Sequence, residues 1–223
     1  MASALPCQFE SILDKSQAWR SIPKPEMVGT GIPEIDRATG GLPRGCLTEI
    51  FGAASSGRTS LLISILAEAT MRDESCALVD AEDTFNPLAA AAAGVKLHRL
   101  LWVRCNHNAE HALKAADLLI HGGGLGVAVL DLGETTPQMA SRISLTSWFR
   151  LRRAVEHTPT VLVTVARRSN AKTCASLQLE CDLANVEWSG ARHCSRLLRG
   201  INVRVSAAQK SKTCSLVFTA PAI

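Results

Sequence analysis

The sequence predicts an α/β protein: a mainly parallel twisted sheet flanked by helices, with antiparallel strands at one edge. Three observations predict it. Apolar strand-length runs alternate with helical stretches over the first two thirds of the chain, the pattern of a parallel sheet with right-handed crossovers. A glycine-bounded turn, Gly52 to Thr59, joins a strand to a helix. The last strand-length runs follow one another without long helices, so they pair antiparallel.

The expected strands are Leu47–Phe51, Cys76–Asp80, Leu100–Cys105, Gly126–Asp131, Thr160–Val165, Leu177–Asp182, Asn202–Ala207 and Cys214–Thr219. The expected helices are Thr59–Met71, Pro87–Ala93, Glu110–His121, Gln138–His157 and Ala191–Leu198. Residues 8–20 place Phe9, Ile12, Leu13 and Ser16 on one helical face. Pro23 and Pro25, one residue apart, cannot sit inside a helix, so this stretch is a linker. The organisation read is a helix and linker over 1–27, suited to a protomer or partner contact, and a core over 28–223.

The chain has 223 residues, enough for one domain with a sizeable core. Its net charge of +4 divides unevenly. Residues 1–139 hold 11 basic and 16 acidic groups, whereas residues 140–223 hold 13 basic and 4 acidic. Such asymmetry suits one half to a metal and the other to an anionic polymer. Met1 to Arg20 has no apolar core of signal-peptide length. The longest uncharged apolar run, Leu88 to Val95, is far short of the ~20 residues of a membrane helix. The eight cysteines contain no Cys-x-x-Cys pair, and Cys174, Cys181, His193 and Cys194 match no common zinc spacing. Reduced thiols in a cytoplasmic protein, with no membrane contact, are expected.

Gly52-Ala53-Ala54-Ser55-Ser56-Gly57-Arg58-Thr59 has the spacing of a phosphate-binding loop, with arginine where lysine is usual. Its glycines let backbone N–H groups converge on phosphate oxygens, and the following helix turns its positive end toward them. Gly52, Ser55, Ser56, Gly57, Arg58, Thr59 and Ser60 are the candidate nucleotide contacts. The Thr59 hydroxyl suits Mg²⁺. Arg58 keeps the charge but is bulkier than an ammonium and forked. The competing reading is an ordinary Gly/Ser turn. Two acids argue against it. Asp131 ends an apolar strand at the edge where the loop lies, placed to hold Mg²⁺ through water. Glu82, just past another strand end, is placed to polarise a water against a γ-phosphate, with Glu134 as a rival base.

The stretch Thr30-Gly31-Ile32-Pro33-Glu34-Ile35-Asp36, then Gly40-Gly41-Leu42-Pro43-Arg44-Gly45, Thr48 to Gly52, Ser55-Ser56-Gly57 and Asp80-Ala81-Glu82 resembles the bacterial RecA recombinase family. The likeness weakens from Asp131 to about Pro221. It implies a RecA-like P-loop ATPase core. In that core Gly52 to Thr59 binds ATP, Asp131 supports Mg²⁺ and Glu82 is the catalytic base. It also implies assembly of copies on single-stranded DNA. Several departures accompany the likeness. Arg58 replaces the loop lysine, Ala89 stands at the adenine-stacking position, and Ala166 or Arg167 replaces the γ-phosphate-sensing glutamine. Lys210 and Lys212 are shifted from the family's lysine pair. The second DNA loop is reduced to Ala166 to Cys174. A shortened chain of this kind is similar to ImuA-type proteins, which implies partnership with a Y-family polymerase homologue (ImuB-like) or RecA in SOS translesion synthesis. A minimal DNA-dependent ATPase and a non-catalytic scaffold are the alternatives.

Arg150, Arg152 and Arg153, with Arg167 and Arg168 after the next strand, are candidate contacts for single-stranded DNA phosphates. A solvated helix face is the plainer reading of the first three. Arg192, Arg196 and Arg199 share one face if their segment is helical. Trp188 reads as core, with a partner anchor as the alternative.

Overall fold

The computed structural model describes residues 25–190, 196–209 and 212–221. The expected helix over 8–20 and the prolines' linker up to residue 24 lie outside them.

The described chain begins with β1 (Met27–Val28), α1 (Pro33–Thr39) and β2 (Leu42–Pro43), and β1 pairs antiparallel with β2. Then come β3 (Leu47–Gly52), α2 (Arg58–Met71), β4 (Cys76–Asp80), α3 (Pro87–Ala92), β5 (Leu100–Arg104), α4 (Ala109–Gly122) and β6 (Val127–Leu132). They are followed by α5 (Pro137–Ala140), α6 (Leu145–Val155), β7 (Val161–Ala166), β8 (Leu177–Ser189), β9 (Leu197–Gln209) and β10 (Lys212–Pro221). The main sheet has eight strands in the order β10-β9-β8-β3-β7-β6-β4-β5. From β8 to β5 all neighbours are parallel, whereas β8–β9 and β9–β10 are antiparallel. This is the predicted architecture, with a parallel sheet and an antiparallel edge.

Strand alternation splits the core into two layers. Leu78, Val129 and Val163 face a cluster with α2 residues such as Leu61, Leu62 and Ile65. Their neighbours Val79, Leu130 and Leu162 face a second cluster with Ala112, Ala116, Trp148 and Leu151 of α4 and α6. Strands buried on both faces read as continuous apolar runs, which is why β4, β6 and β7 were legible.

Four expectations change. The helix expected over Gln138–His157 is two helices, because Ser144 caps α6 by accepting from the Ser147 N–H. Ser at such a position favours a new helix start over helix continuation. β8 and β9 are far longer than expected, and their register shifts between Leu183/Asn185 and Glu187/Trp188. These irregularities break the alternation by which a strand is recognised. In consequence the helix expected over Ala191–Leu198 is absent from Leu197 onward, which is strand, while 191–195 lie outside the described residues. Arg196 and Arg199 therefore share no helical face. Trp188, read as core, is 48% exposed.

Candidate nucleotide site

The loop begins where the buried central strand β3 ends. Gly52 closes that strand against β8: a Cβ there would lie 2.2 Å from the Cys181 carbonyl oxygen. Gly57 caps α2 with φ of 91°, in the left-handed region, and no side chain caps this helix. By contrast Asn86, Asn108, Thr136 and Ser144 cap α3 to α6. The first N–H groups of α2 thus remain available to an anion. A Cβ on Gly57 would lie 2.2 Å from Val203 Cγ2, so β9 is seated directly on the loop.

The loop residues Ser55 to Ser60 line one hollow of about 350 Å³ with Glu134 and with Leu183, Val186, Trp188, Leu198 and Ile201 of the β8–β9 hairpin. Ser55 is exposed with φ of 59°, and Thr59 is exposed. Ser56 is buried and its Oγ has no hydrogen-bond partner among the described residues. A buried hydroxyl without a partner is costly unless a ligand or water satisfies it.

Arg58 is only 5% exposed. Its Nη1 donates to the Gly133 carbonyl at 3.0 Å, and its Nη2 lies 3.5 Å from Glu134 Oε1. Burial pulls its guanidinium below the ordinary arginine value, and the charges of Glu134 and Asp131 oppose that pull. Arg167 reaches the same turn: Nε donates to Gly133 O at 3.3 Å and Nη2 pairs with Glu134 Oε2. Two guanidiniums thus converge on Gly133 and Glu134, an arrangement the sequence did not disclose.

Asp131 sits beside this turn and accepts from the Gly133 N–H at 2.8 Å through Oδ1. Burial pushes its carboxyl up to about 6; Asp80 and Glu134 add to the rise, while the Gly133 hydrogen bond and Arg58 oppose it. Its other oxygen has no hydrogen bond among the described residues. The Thr59 hydroxyl and the Asp131 carboxylate are hard oxygen donors, the type Mg²⁺ takes alongside phosphate and water. The donor chemistry therefore fits that ion. No group of three or more His, Cys, Asp or Glu suited to a metal occurs among the described residues. Cys174 and Cys181 are buried in the core, and burial pushes the Cys181 thiol to about 12. His193 and Cys194 lie outside the described residues.

Glu82 follows β4, whose Asp80 is in register with Asp131. Its Oε1 accepts from Thr135 Oγ1 at 2.8 Å and its Oε2 lies 2.9 Å from His107 Nδ1. Thr135 belongs to the same turn as Gly133 and Glu134, so the two acidic strand ends are tied together. Glu134 itself is held by the arginines, which leaves it less suited than Glu82 to activating a water.

Two of the basic candidates are committed to ion pairs. Arg150 pairs with Asp117 at 3.3 Å and Arg152 with Glu156 at 3.4 Å. Arg153 is exposed. Arg168 lines a hollow with the α5–α6 connection and Lys172, which adjoins the hollow beside Arg150 at Ile143 and Ser144. The short loop carrying Arg168 is anchored by Glu49, which sequence reasoning missed. Glu49 is fully buried on β3 and accepts from Ser169 Oγ (2.7 Å), Asn170 N (2.6 Å), Ala171 N (2.8 Å) and Gln178 Nε2 (3.0 Å). A glutamate within the apolar run from Leu47 to Phe51 was the available signal.

No described helix is long and apolar enough to cross a membrane. A family model described as the RecA N-terminal domain matches residues 11–140. The RecA protein of Rhodospirillum rubrum is 44% identical over 108 residues, which is 48% of this chain and 29% of that relative. The RecA proteins of Deinococcus radiodurans (41% over 108 residues, 48% of this chain and 30% of theirs) and Teredinibacter turnerae (42% over 106 residues, 47% and 31%) match similarly. These matches thus span less than a third of each relative's own length.

Proposed function

Because this chain belongs to the RecA family, we propose that it binds ATP with Mg²⁺ at the loop from Gly52 to Ser60 and binds single-stranded DNA as an accessory protein of DNA repair. In the finer reading it serves the SOS response and translesion synthesis with a Y-family polymerase homologue or RecA, and assembles with copies of itself. That finer reading is supported by the short segment after β7 and by the replaced loop lysine. The observation that carries the proposal is the placement of Arg58. It lies beside the phosphate hollow, yet its guanidinium is committed to Gly133 O and Glu134. Such a group can retain a triphosphate but is poorly free to follow charge as it develops on a transferred phosphoryl group.

The roles follow from position. The N–H groups of the loop and of the first turn of α2 hold phosphate oxygens. Thr59 and Asp131 would hold Mg²⁺, which supplies neutralisation of phosphate charge. Glu82, fixed by Thr135 and His107, accepts the proton of an attacking water. Arg168, Lys172 and Arg153 contribute to a phosphate-binding surface.

The test is ATP turnover with and without single-stranded DNA. The wild-type protein is expected to turn over slowly, Arg58→Lys to raise the rate about tenfold or more, and Glu82→Gln to remove it. Brisk DNA-stimulated turnover by the wild-type chain would favour the minimal ATPase. That alternative already draws support from the well-held Glu82. A rate untouched by DNA and by Glu82→Gln would indicate the scaffold.

A further inference from the structure

The hollow beside the phosphate loop has two chemically different walls. One is the loop itself, with N–H groups and the hydroxyls of Ser55, Ser56, Thr59 and Ser60. The other is the β8–β9 hairpin, which presents Leu183, Val186, Trp188, Leu198 and Ile201. A bare phosphate has no use for an apolar wall, whereas a nucleoside phosphate carries a flat aromatic base away from its phosphates. Trp188 is the aromatic side chain on that wall, and it is 48% exposed. A guanidinium, Arg196 Cζ, lies 5.6 Å from the centre of its ring. Such a cation on the π face fixes the indole's direction. The wall cannot drift from the loop either, since β9 touches Gly57 through Val203 and β8 touches Gly52 through Cys181.

We infer that Trp188, braced by Arg196, receives the base of the nucleotide whose phosphates the loop holds. The inference rests on the nucleotide reading above and adds a base subsite to it. Ala89, at the position where the sequence suggested a lost stacking residue, is not among the residues lining this hollow. The hairpin supplies an aromatic side chain at this hollow, where Ala89 supplies none. An indole face recognises any base by stacking and does not discriminate strongly between them. ATP and GTP accordingly bind with similar affinity.

The experiment is calorimetric titration of the full chain with Mg–ATP and, separately, with Mg–tripolyphosphate, which has the phosphates and no base. The wild-type chain binds both, ATP more tightly. Trp188→Ala weakens ATP binding about fivefold or more and leaves tripolyphosphate unchanged, and Trp188→Phe restores most of the ATP affinity. Because Trp188 is half exposed, the variants retain the fold, which circular dichroism verifies. If Trp188→Ala leaves ATP binding unchanged, or weakens both ligands equally, the base subsite is overturned while the nucleotide reading stands. If the wild-type chain binds neither ligand, the nucleotide reading fails and takes this inference with it.

Discussion

Replacing Glu49 with alanine is expected to cost several kcal/mol, at about 1–3 kcal/mol for each buried donor left without an acceptor. Four donors converge on this fully buried carboxylate from the segment between β7 and β8 and from β8 itself. Two are backbone N–H groups, Asn170 and Ala171. Alanine would leave the Ala171 N–H unpaired in a buried position and the Asn170 N–H in a half-buried one. Urea unfolding reads the loss as a lower midpoint. Glu49→Gln tests the cause: it retains one acceptor oxygen and should recover part of the loss. Because the same carboxylate pins the loop that carries Arg168, Glu49→Ala should also weaken binding of a single-stranded oligonucleotide under conditions where the variant is still folded. An unfolding midpoint within experimental scatter of the wild type would show that the network contributes nothing.

Gly57→Ala is the second large effect. The residue has φ of 91°, where a side chain is strained by about 1–3 kcal/mol. In addition the new methyl would sit 2.2 Å from Val203 Cγ2. Relieving that overlap moves β9 off the loop or distorts α2 at its first turn, a further 1–3 kcal/mol by the scale of overpacking. At about 2–4 °C per kcal/mol for a chain of this length, the melting temperature should fall by several degrees at least. A Val203→Ala change in the same chain opens space for the methyl and should recover the overpacking part but not the φ strain. The double variant thus separates the two causes. Simple additivity of the two changes, with Val203→Ala alone as the reference, would mean that the hairpin is not seated on the loop.

Much of this was legible in the sequence because it rests on local chemistry. The apolar runs of β4, β6 and β7 are buried on both faces, so their strand signal is continuous. The Gly52 to Thr59 spacing marks a turn whose backbone geometry only a few residue types satisfy. Asp131 and Glu82 were placed by their positions at strand ends, which the register of β4 with β6 reproduces. What was not legible depends on contacts between distant segments. That Arg58 and Arg167 share the Gly133–Glu134 turn requires the neighbouring order of β3, β7 and β6 in the sheet. Trp188 was misread because bulges in β8 against β9 erase the alternation that would have assigned its face. The arginines of α6 read as a cluster in one dimension, yet Arg150 and Arg152 turn to Asp117 and Glu156 respectively.

The central claim is that the loop from Gly52 to Ser60 is a working nucleoside-triphosphate site despite Arg58. Its most direct test is the melting temperature of the wild-type chain against Mg–ATP concentration. A ligand that binds only the folded state stabilises it by about 2.7 kcal/mol at a hundredfold excess over its Kd, which is about 5–10 °C here. A concentration-dependent rise of that size is expected with Mg–ATP. A melting temperature that stays constant up to millimolar Mg–ATP would contradict it.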